Sequence, residues 1–205
     1  MTATSSLIFE LNRMRKLSIV LLHHPMLDKQ SKIVATSLTA IDVHDISRSA
    51  ATYGASPVYI AHPSVVTRRL AETMHNFWSA GYGATYNPNR KEALDHVRIL
   101  SDLDAVIHDI TLLDGVEPEL VATCAKPGGT RISFENFNQL LHSEPTPGSG
   151  RFLLMFGTGW GMTDSLIDRA QYFLEPINGP TDYNHLSVRS ACAIMLDRLL
   201  GLGRD

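Results

Sequence analysis

Three glycines spaced by one residue each follow a short apolar run in the segment FGTGWGM at 156–162. The residues that come next, TDSLIDRA, can begin a helix with Thr163 as its cap. Glycines allow a ligand to approach the backbone closely, and ligands of parallel sheets bind at the carboxyl ends of strands. The spacing matches neither the G-x-G-x-x-G dinucleotide motif nor the P-loop. The segment therefore predicts a ligand loop of another type, with a purely structural tight turn as the alternative.

A second group of polar side chains precedes the last apolar helix, in DYNHLSVRSA at 182–191. The N-terminus of a helix presents free N–H groups to a ligand. Asn184 and His185 are therefore candidate substrate-binding residues, and Ser187 lies in the same opening turn. The alternatives are that Asn184 only caps the helix and that His185 is an ordinary surface histidine.

The N-terminal half contains a pair of adjacent histidines. His23 and His24 directly follow the apolar run at 17–22, and a parallel sheet places active-site residues at the end of such a strand. We predict a substrate or dimer contact for at least one of them. The alternative is that one lies in the core and the other on the surface.

Asp42, His44 and Arg48 lie close together in the segment 37–54, whose apolar residues recur at helical spacing. Asp42 and His44 can accept or relay a proton. An arginine side chain stays protonated, so Arg48 is expected to bind phosphate and to orient an attacking group. These three are the predicted catalytic residues. The three-residue spacing of Asp42, Asp45 and Arg48 also fits a structural ion pair on one helix face.

Short apolar runs bounded by turn residues predict buried strands, and longer stretches with apolar residues three or four apart predict helices. The predicted strands are 17–22, 56–61, 104–110, 130–134, 151–156 and 171–177. The predicted helices are 37–54, 64–81, 89–103 and 185–202. Because strands and helices alternate, the sequence predicts an α/β fold with a parallel sheet and helices on both faces. We expect one domain over 17–205, preceded by an N-terminal arm at 1–16.

The composition is that of a water-soluble chain with a core of ordinary size. The 205 residues are 44% hydrophobic and 19% charged, and no apolar run approaches the roughly 20 residues of a membrane helix. Because the N-terminus has no secretory pattern, we expect a cytoplasmic protein that contacts no membrane. Cys124 and Cys192 are too few and too far apart for a disulfide framework. The net charge of −3 gives no overall attraction to nucleic acid, which would need a local basic patch.

Three segments in the C-terminal part resemble the motif series of SPOUT RNA methyltransferases. They are GTGWGM at 157–162, LEPI at 174–177 and YNHLSVRSA at 183–191. In the SpoU group of that class the series runs GTEG, then IPM, then ESLNVS. The resemblance covers residues 150–200 in order and with similar spacing, which makes it more specific than any single motif.

The resemblance extends to the N-terminal half. The segment at 37–54 resembles the first SpoU motif, and Arg48 falls on the arginine of that motif. Two positions depart from the SpoU pattern. Trp160 replaces the glutamate-glycine continuation, and Asn184 stands where ESLNVS has its glutamate. Because of these two departures, the resemblance to the SpoU group does not extend to the target or to the detailed mechanism.

The resemblance implies a deep trefoil knot near the C-terminus, with S-adenosylmethionine (SAM) held in it mainly by main-chain groups of three loops. Carried over by position, the cofactor-binding residues are Gly157, Thr158, Gly159, Glu175, Pro176, Ile177, Leu186, Ser187 and Val188. It also implies a homodimer, in which Arg48 acts either in the site of its own subunit or in that of the other. The implied reaction transfers a methyl group from SAM to tRNA or rRNA, at a ribose 2′-hydroxyl or a base nitrogen, without a metal ion.

Two other function classes remain open. One is a metal-dependent phosphohydrolase, because imidazole and carboxylate groups together suit divalent metals. Such groups stand side by side at His23-His24, His44-Asp45 and His108-Asp109. These pairs fall on different predicted elements, which does not favour one shared metal site. The other class is a knotted module that binds RNA or a protein without catalysis.

Overall fold

The computed structural model describes residues 16–125, 129–144 and 151–202. All of the predicted N-terminal arm except Lys16 lies outside these residues. The strands are β1 (Leu17–Leu22), β2 (Met26–Leu27), β3 (Ile33–Val34), β4 (Val58–Ala61), β5 (Val97–Leu100), β6 (Glu119–Ala122), β7 (Phe152–Gly157) and β8 (Tyr172–Phe173). The helices are α1 (Ala40–Tyr53), α2 (Val65–Ser79), α3 (Tyr82–Tyr86), α4 (Pro88–Leu94), α5 (Leu103–Asp114), α6 (Phe134–His142), α7 (Asp164–Ile167) and α8 (Val188–Leu200). None of these helices is long and apolar enough to cross a membrane.

Six of the strands form one parallel sheet in the order β5-β4-β1-β7-β6-β8. β2 and β3 pair in antiparallel fashion in a separate two-stranded sheet. Every residue of β1 is buried, as expected of a central strand that is covered on both faces. Leu22 at the end of β1 lies beside Gly157 at the end of β7. The residues that follow these two strands therefore lie at the same edge of the sheet.

Helices cover both faces of the sheet, which confirms this part of the predicted fold. On one face, buried side chains of α1, α6 and α8 form one core with Ile19 and Leu21 of β1. On the other face, side chains of α5 and α7 form a second core with Val20 and Leu22. Successive side chains of a strand point to opposite faces, so a fully apolar strand can serve both cores.

The predicted strand at 104–110 is wrong, because these residues belong to α5. The buried side chains of this helix recur at helical spacing. The Asp102 side chain caps its N-terminus, and Gly115 ends it in the left-handed conformation. The cap and the glycine outweigh the strand preference of the β-branched residues between them.

Other predicted boundaries also differ from the structure. The residues of the predicted helix at 89–103 form the shorter α4 and, after it, β5. The sequence pattern does not predict β6. Both β5 and β6 have only four residues. The segment 130–134 contributes only an isolated bridge, between Ile132 and Leu174, before α6 begins. The predicted strand at 171–177 is reduced to the two residues of β8. Elements this short carry too little periodicity to be placed from sequence.

The strand order reverses between β1 and β7. From β1 the chain continues to β4 and β5 on one side, whereas β6 and β8 lie beyond β7 on the other. In open parallel sheets, ligands bind outside the carboxyl ends of the strands at such a point. The loops after β1, β6 and β7 are therefore where a site is expected.

Candidate active site

A cavity of about 820 Å³ lies beyond the carboxyl ends of β6 and β7. Its walls come from the segments 123–125, 156–162 and 184–188, from Ile177 and Asp182, and from the first turns of α8. Thr36 and Asp42 complete the wall from the N-terminal half of the chain. Ligand cavities of proteins are commonly about 300–1,000 Å³, so the volume suits a small organic ligand.

Close contacts of its glycines shape the loop after β7. Gly159 has a φ of 61°, in the left-handed region that favours glycine. A Cβ added there would lie 2.9 Å from the Thr36 methyl carbon and 3.2 Å from the Leu27 carbonyl oxygen. At Gly157 an added Cβ would lie 2.7 Å from the Met162 side chain. The glycines thus allow the loop to pack closely against Thr36, Leu27 and Met162, as expected of a structural tight turn. The same loop also lines the cavity, as expected of a ligand loop.

Seven of the nine predicted cofactor-binding residues line this cavity. They are Gly157, Thr158, Gly159, Ile177, Leu186, Ser187 and Val188. Glu175 and Pro176 are not among the lining residues. The Glu175 carboxylate accepts a hydrogen bond from the Phe134 N–H at 2.8 Å, at the start of α6. This side chain therefore stabilises a helix end, and a cofactor contact of Glu175 would have to come from its main chain.

Asn184 and His185, the predicted substrate-binding residues of the C-terminal half, both line the cavity. Asn184 Nδ2 donates to the Ala125 carbonyl oxygen at 3.2 Å and thereby links two cavity loops. α8 begins later than predicted, with Ser187 as its cap, so the alternative that Asn184 caps this helix is wrong. His185 is exposed, and its ring meets that of Tyr183 edge-on with ring centres 5.3 Å apart.

Asp42 is the predicted catalytic residue that the structure places at the cavity. One of its carboxylate oxygens accepts a hydrogen bond from Arg189 Nη1 at 2.8 Å, and the other accepts one from the Thr39 hydroxyl. Arg189 Nε also lies 3.4 Å from the Asp45 carboxylate. Spacing predicts an ion pair of Arg48 with an aspartate of α1. In the structure, the aspartates of α1 pair instead with Arg189 of α8.

The other two predicted catalytic residues do not line the cavity. The His44 ring packs edge-on against Trp78 of α2, with ring centres 5.5 Å apart. Burial, and after it the nearby Arg90, lower the pKa of His44. The Arg48 side chain is exposed and has no hydrogen-bond or ion-pair partner within the described ranges, while the Arg48 carbonyl oxygen accepts from the Thr52 hydroxyl. The catalytic roles of His44 and Arg48 stay predictions.

His23 and His24 have opposite environments. His24 is exposed, whereas His23 is completely buried. His23 Nδ1 lies 3.1 Å from the hydroxyl oxygen of Thr36, which is in turn hydrogen-bonded to the Thr158 hydroxyl in the cavity wall. Burial, and after it the nearby His62, lower the pKa of His23 to about 4. The ring is therefore neutral at pH 7 and acts there as a hydrogen-bonding group.

Thr36 and Arg189 are among the residues of the site that sequence reasoning missed. Each contacts a predicted residue, but Thr36 and Thr158 are 122 positions apart and Arg189 and Asp42 are 147 positions apart. Arg189 stands within the YNHLSVRSA motif, which is the signal that could have identified it. Thr36 lies in no motif and carries no comparable signal.

The residues proposed for a metal-dependent hydrolase do not come together. His44-Asp45 lies on α1 and His108-Asp109 on α5, and these helices contribute to the cores on opposite faces of the sheet. The two pairs therefore cannot share a metal ion. In the part of the chain that the structure describes, no three His, Cys, Asp or Glu side chains are grouped so as to hold one.

The burial of neutral His23 predicts a pH-dependent stability. Its pKa is about 4 in the folded protein and about 6.5 in the unfolded chain. Between these values the unfolded chain binds more protons, so the free energy of unfolding falls as the pH is lowered, by up to about 1.4 kcal/mol per pH unit. His23→Asn should remove this component, about 2 kcal/mol between pH 7 and pH 5.

Urea unfolding of both proteins at the two pH values measures this difference. His108→Asn, which replaces an exposed histidine of α5, is the control and should keep the wild-type dependence. Parallel stability curves for wild type and His23→Asn would contradict the prediction.

The sequence profile of a family described as SAM-dependent RNA methyltransferase matches residues 16–201. A tRNA (guanine-N(1)-)-methyltransferase of Oleidesulfovibrio alaskensis is 39% identical over 187 residues, which are 91% of this chain and 42% of that protein. The chain thus spans less than half the length of this relative. An uncharacterized protein of Aquifex aeolicus is 40% identical over 186 residues, which are 91% of this chain and 89% of that protein.

The fold is similar to that of a solved structure of a probable methyltransferase. The crystal structure of a probable methyltransferase from Bordetella pertussis superimposes with a TM-score of 0.63 at 14% sequence identity. The similarity covers 94% of this chain and 96% of that chain. At this level of identity the likeness concerns the fold alone.

Proposed function

The chain belongs to the SAM-dependent RNA methyltransferase family, and from that membership we propose that SAM binds in the cavity beyond β6 and β7 and that the RNA is a tRNA. Transfer of a methyl group from SAM to RNA is the activity that the sequence resemblance predicts, and the match to the family profile supports it. The observation that carries the proposed cofactor site is that residues of all three predicted cofactor loops line one cavity, the second loop through Ile177 alone.

The walls of the cavity suit the chemistry of SAM. An adenine ring can pack against apolar lining residues, among them Ile177, Leu186, Val188, Ala191 and Met195. The N-terminus of α8 presents N–H groups to the polar edges of a ligand. The loop after β7 adds main-chain groups on the other side, since its glycines carry no side chains.

When bound, SAM supplies a methyl group on a positively charged sulfur, to be taken up by an aligned nucleophilic oxygen or nitrogen of the RNA. The acceptor group must lose a proton in this step. We assign the proton acceptor to Asp42, because its carboxylate lies in the cavity wall and hydrogen bonds from Arg189 and Thr39 fix its orientation. Asn184, His185 and the exposed His24 are the proposed contacts to RNA.

The choice of tRNA is supported by the relative from Oleidesulfovibrio alaskensis, which is named as a tRNA methyltransferase. Its name describes a protein of which this chain spans 42%. The name alone therefore does not assign guanine N1 as the methyl acceptor for this chain. The acceptor in our proposal is an O–H or N–H group, either a ribose 2′-hydroxyl or a base nitrogen.

The proposal includes a homodimer and a C-terminal trefoil knot within a single domain over 17–205. Both are supported by the resemblance of the three motifs, in their order, to those of SPOUT RNA methyltransferases. Arg48, which is exposed on α1, is available to bind RNA phosphate in the site of a partner subunit. Light scattering of the purified protein tests the dimer, and a monomeric mass would contradict it.

We expect S-adenosylhomocysteine to raise the midpoint of thermal unfolding by about 4 °C or more. A ligand at a hundredfold excess over its Kd stabilises the folded state by about 2.7 kcal/mol. Scanning calorimetry measures the shift, with ATP and NAD as controls that should produce none. The absence of a shift with millimolar S-adenosylhomocysteine would contradict the cofactor site.

The RNA is identified with material from cells that lack the protein. Total tRNA and rRNA are incubated separately with the purified protein and labelled SAM, and the modified nucleoside is identified by mass spectrometry. Label in tRNA supports the proposal, and label in rRNA alone contradicts it. If wild-type protein that binds SAM labels neither RNA, the non-catalytic module becomes the better interpretation.

A further inference from the structure

His23 begins a chain of hydrogen bonds that ends in the wall of the cavity. Its Nδ1 atom lies 3.1 Å from the Thr36 hydroxyl oxygen, and that hydroxyl is hydrogen-bonded to the hydroxyl of Thr158. The Thr158 hydroxyl oxygen lies 3.1 Å from the Leu22 carbonyl oxygen. Thr36 and Thr158 line the cavity, whereas His23 is fully buried and does not. The histidine therefore reaches the cavity only through the two threonines.

The carbonyl group at the end of this chain fixes the direction of each bond. The Leu22 oxygen can only accept, so the Thr158 hydroxyl donates its single proton to it. The Thr36 hydroxyl also lies 3.4 Å from the His23 carbonyl oxygen, but its contact with the Thr158 oxygen is closer and needs a proton between the two hydroxyls. Thr36 therefore donates to Thr158, and the Thr36 oxygen is left as the acceptor for His23. His23 consequently carries its proton on Nδ1 and donates it to Thr36.

His62 holds Thr36 through a second, independent bond. The Ser64 N–H donates to His62 Nδ1 at 3.0 Å, so the proton of His62 is on Nε2. That Nε2–H group donates to the Thr36 carbonyl oxygen at 3.1 Å. The rings of His23 and His62 lie with their centres 5.3 Å apart. The two histidines thus fix the side chain and the main chain of the same threonine.

Thr36 packs directly against the loop after β7. Its methyl carbon would lie 2.9 Å from a Cβ added to Gly159, and its hydroxyl binds the neighbouring Thr158. A shift of Thr36 would therefore move two adjacent residues of the cavity wall. Both of these loop residues are among the predicted cofactor-binding residues.

We propose that His23 is a positioning residue for SAM, whose Nδ1–H group fixes Thr36 and, through it, the Thr158–Gly159 part of the cofactor loop. This inference rests on the proposed cofactor site. The other ring nitrogen, Nε2, is buried and has no hydrogen-bond partner among the residues of the described ranges. A test must therefore separate the two nitrogens.

Three substitutions of His23 separate the contributions of the two ring nitrogens. Asparagine places an amide N–H where Nδ1–H lies, glutamine reaches the position of Nε2, and leucine removes both groups. We expect the Kd for S-adenosylhomocysteine to rise about tenfold in His23→Leu, the effect of losing one well-placed hydrogen bond. It should return close to the wild-type value in His23→Asn but not in His23→Gln. Titration calorimetry is carried out with the full chain at a temperature where every variant is folded.

Thr158→Val provides a second, independent measurement on the same chain of bonds. Valine keeps the shape of threonine and removes the hydroxyl that connects Thr36 to the loop. Because both substitutions break one pathway, the double variant with His23→Leu should bind S-adenosylhomocysteine no more weakly than the weaker single variant. Additive losses of affinity would contradict the proposed connection.

The outcomes distinguish a positioning role from a structural one. If His23→Leu lowers the melting temperature but leaves the Kd unchanged, His23 is only a core residue and the proposal is overturned. Recovery with glutamine alone would also overturn it, in favour of a role for Nε2. His108→Asn, on the opposite face of the sheet, is the control and should bind like wild type. Wild-type protein that binds no S-adenosylhomocysteine would instead contradict the cofactor site itself, and this inference with it.

Discussion

Asp42→Asn is expected to lower kcat for RNA methylation about a thousandfold, since a general base contributes about 10²–10⁴ to such a step. An amide has nearly the shape of the carboxylate but does not accept a proton at neutral pH. Its contacts can persist, because the amide oxygen still accepts from Arg189 and the amide N–H can donate to the Thr39 hydroxyl. Single-turnover methylation at saturating SAM measures the loss, and the Kd for S-adenosylhomocysteine should stay at its wild-type value.

Asp45→Asn is the matched control for this prediction. Asp45 also faces Arg189, at 3.4 Å, but its side chain is 44% exposed and it does not line the cavity. We expect this variant to methylate RNA at close to the wild-type rate. Equal losses of activity in the two variants would show that the ion pair with Arg189 matters and that Asp42 is not the proton acceptor. A loss of ligand affinity as large as the loss of activity would lead to the same conclusion.

The meeting of the loops at one cavity could be predicted because each loop follows a strand or precedes a helix. Gly157, Ile177 and Val188 are far apart in the sequence, yet a parallel sheet brings the carboxyl ends of its strands to one edge. Periodicity alone places these elements without saying which loops face each other. The order of the three motifs, through its resemblance to a known family, supplied that information.

The partners of individual side chains could not be predicted in this way. Helical spacing favours an ion pair between Asp45 and Arg48, but α8 packs beside α1 and offers Arg189 to Asp42 and Asp45 instead. Glu175 lies in a predicted cofactor loop, yet its carboxylate binds the start of α6. Contacts of this kind depend on how helices pack in three dimensions, which no local pattern of residues encodes.

In the segment 104–110, a strand preference of individual residues competes with helix-end signals on either side. Its β-branched residues favour a strand, but Asp102 and Gly115 are a helix cap and a helix end separated by a helix of ordinary length. The wrong strand prediction does not change the predicted site, because α5 covers the face of the sheet opposite to α1 and α8. Errors in peripheral elements therefore have little effect on a site formed by loops at the sheet edge.

Gly159→Ala is expected to weaken binding of S-adenosylhomocysteine about a hundredfold, or about 2.7 kcal/mol. A left-handed conformation costs a residue with a Cβ about 1–2 kcal/mol. At this position the Cβ would also lie 2.9 Å from the Thr36 methyl carbon and 3.2 Å from the Leu27 carbonyl oxygen. Because Thr36 and Leu27 lie on one side of the loop and the loop lines the cavity, we expect relief of these contacts to shift the cavity wall and to strain the hydrogen bond between Thr36 and Thr158. Titration calorimetry with the folded variant measures the affinity.

Gly115→Ala separates the effect of contact from the effect of backbone strain. Gly115 ends α5 with a φ of 75°, close to that of Gly159, but nothing lies within 4 Å of an added Cβ. The two variants should therefore share the strain component of destabilisation in urea unfolding, while only Gly159→Ala loses affinity. If both variants bind S-adenosylhomocysteine equally well, the loop after β7 does not hold the cofactor. In that case the glycines of FGTGWGM serve the turn alone, and the cofactor would have to be sought among the other residues of the cavity wall.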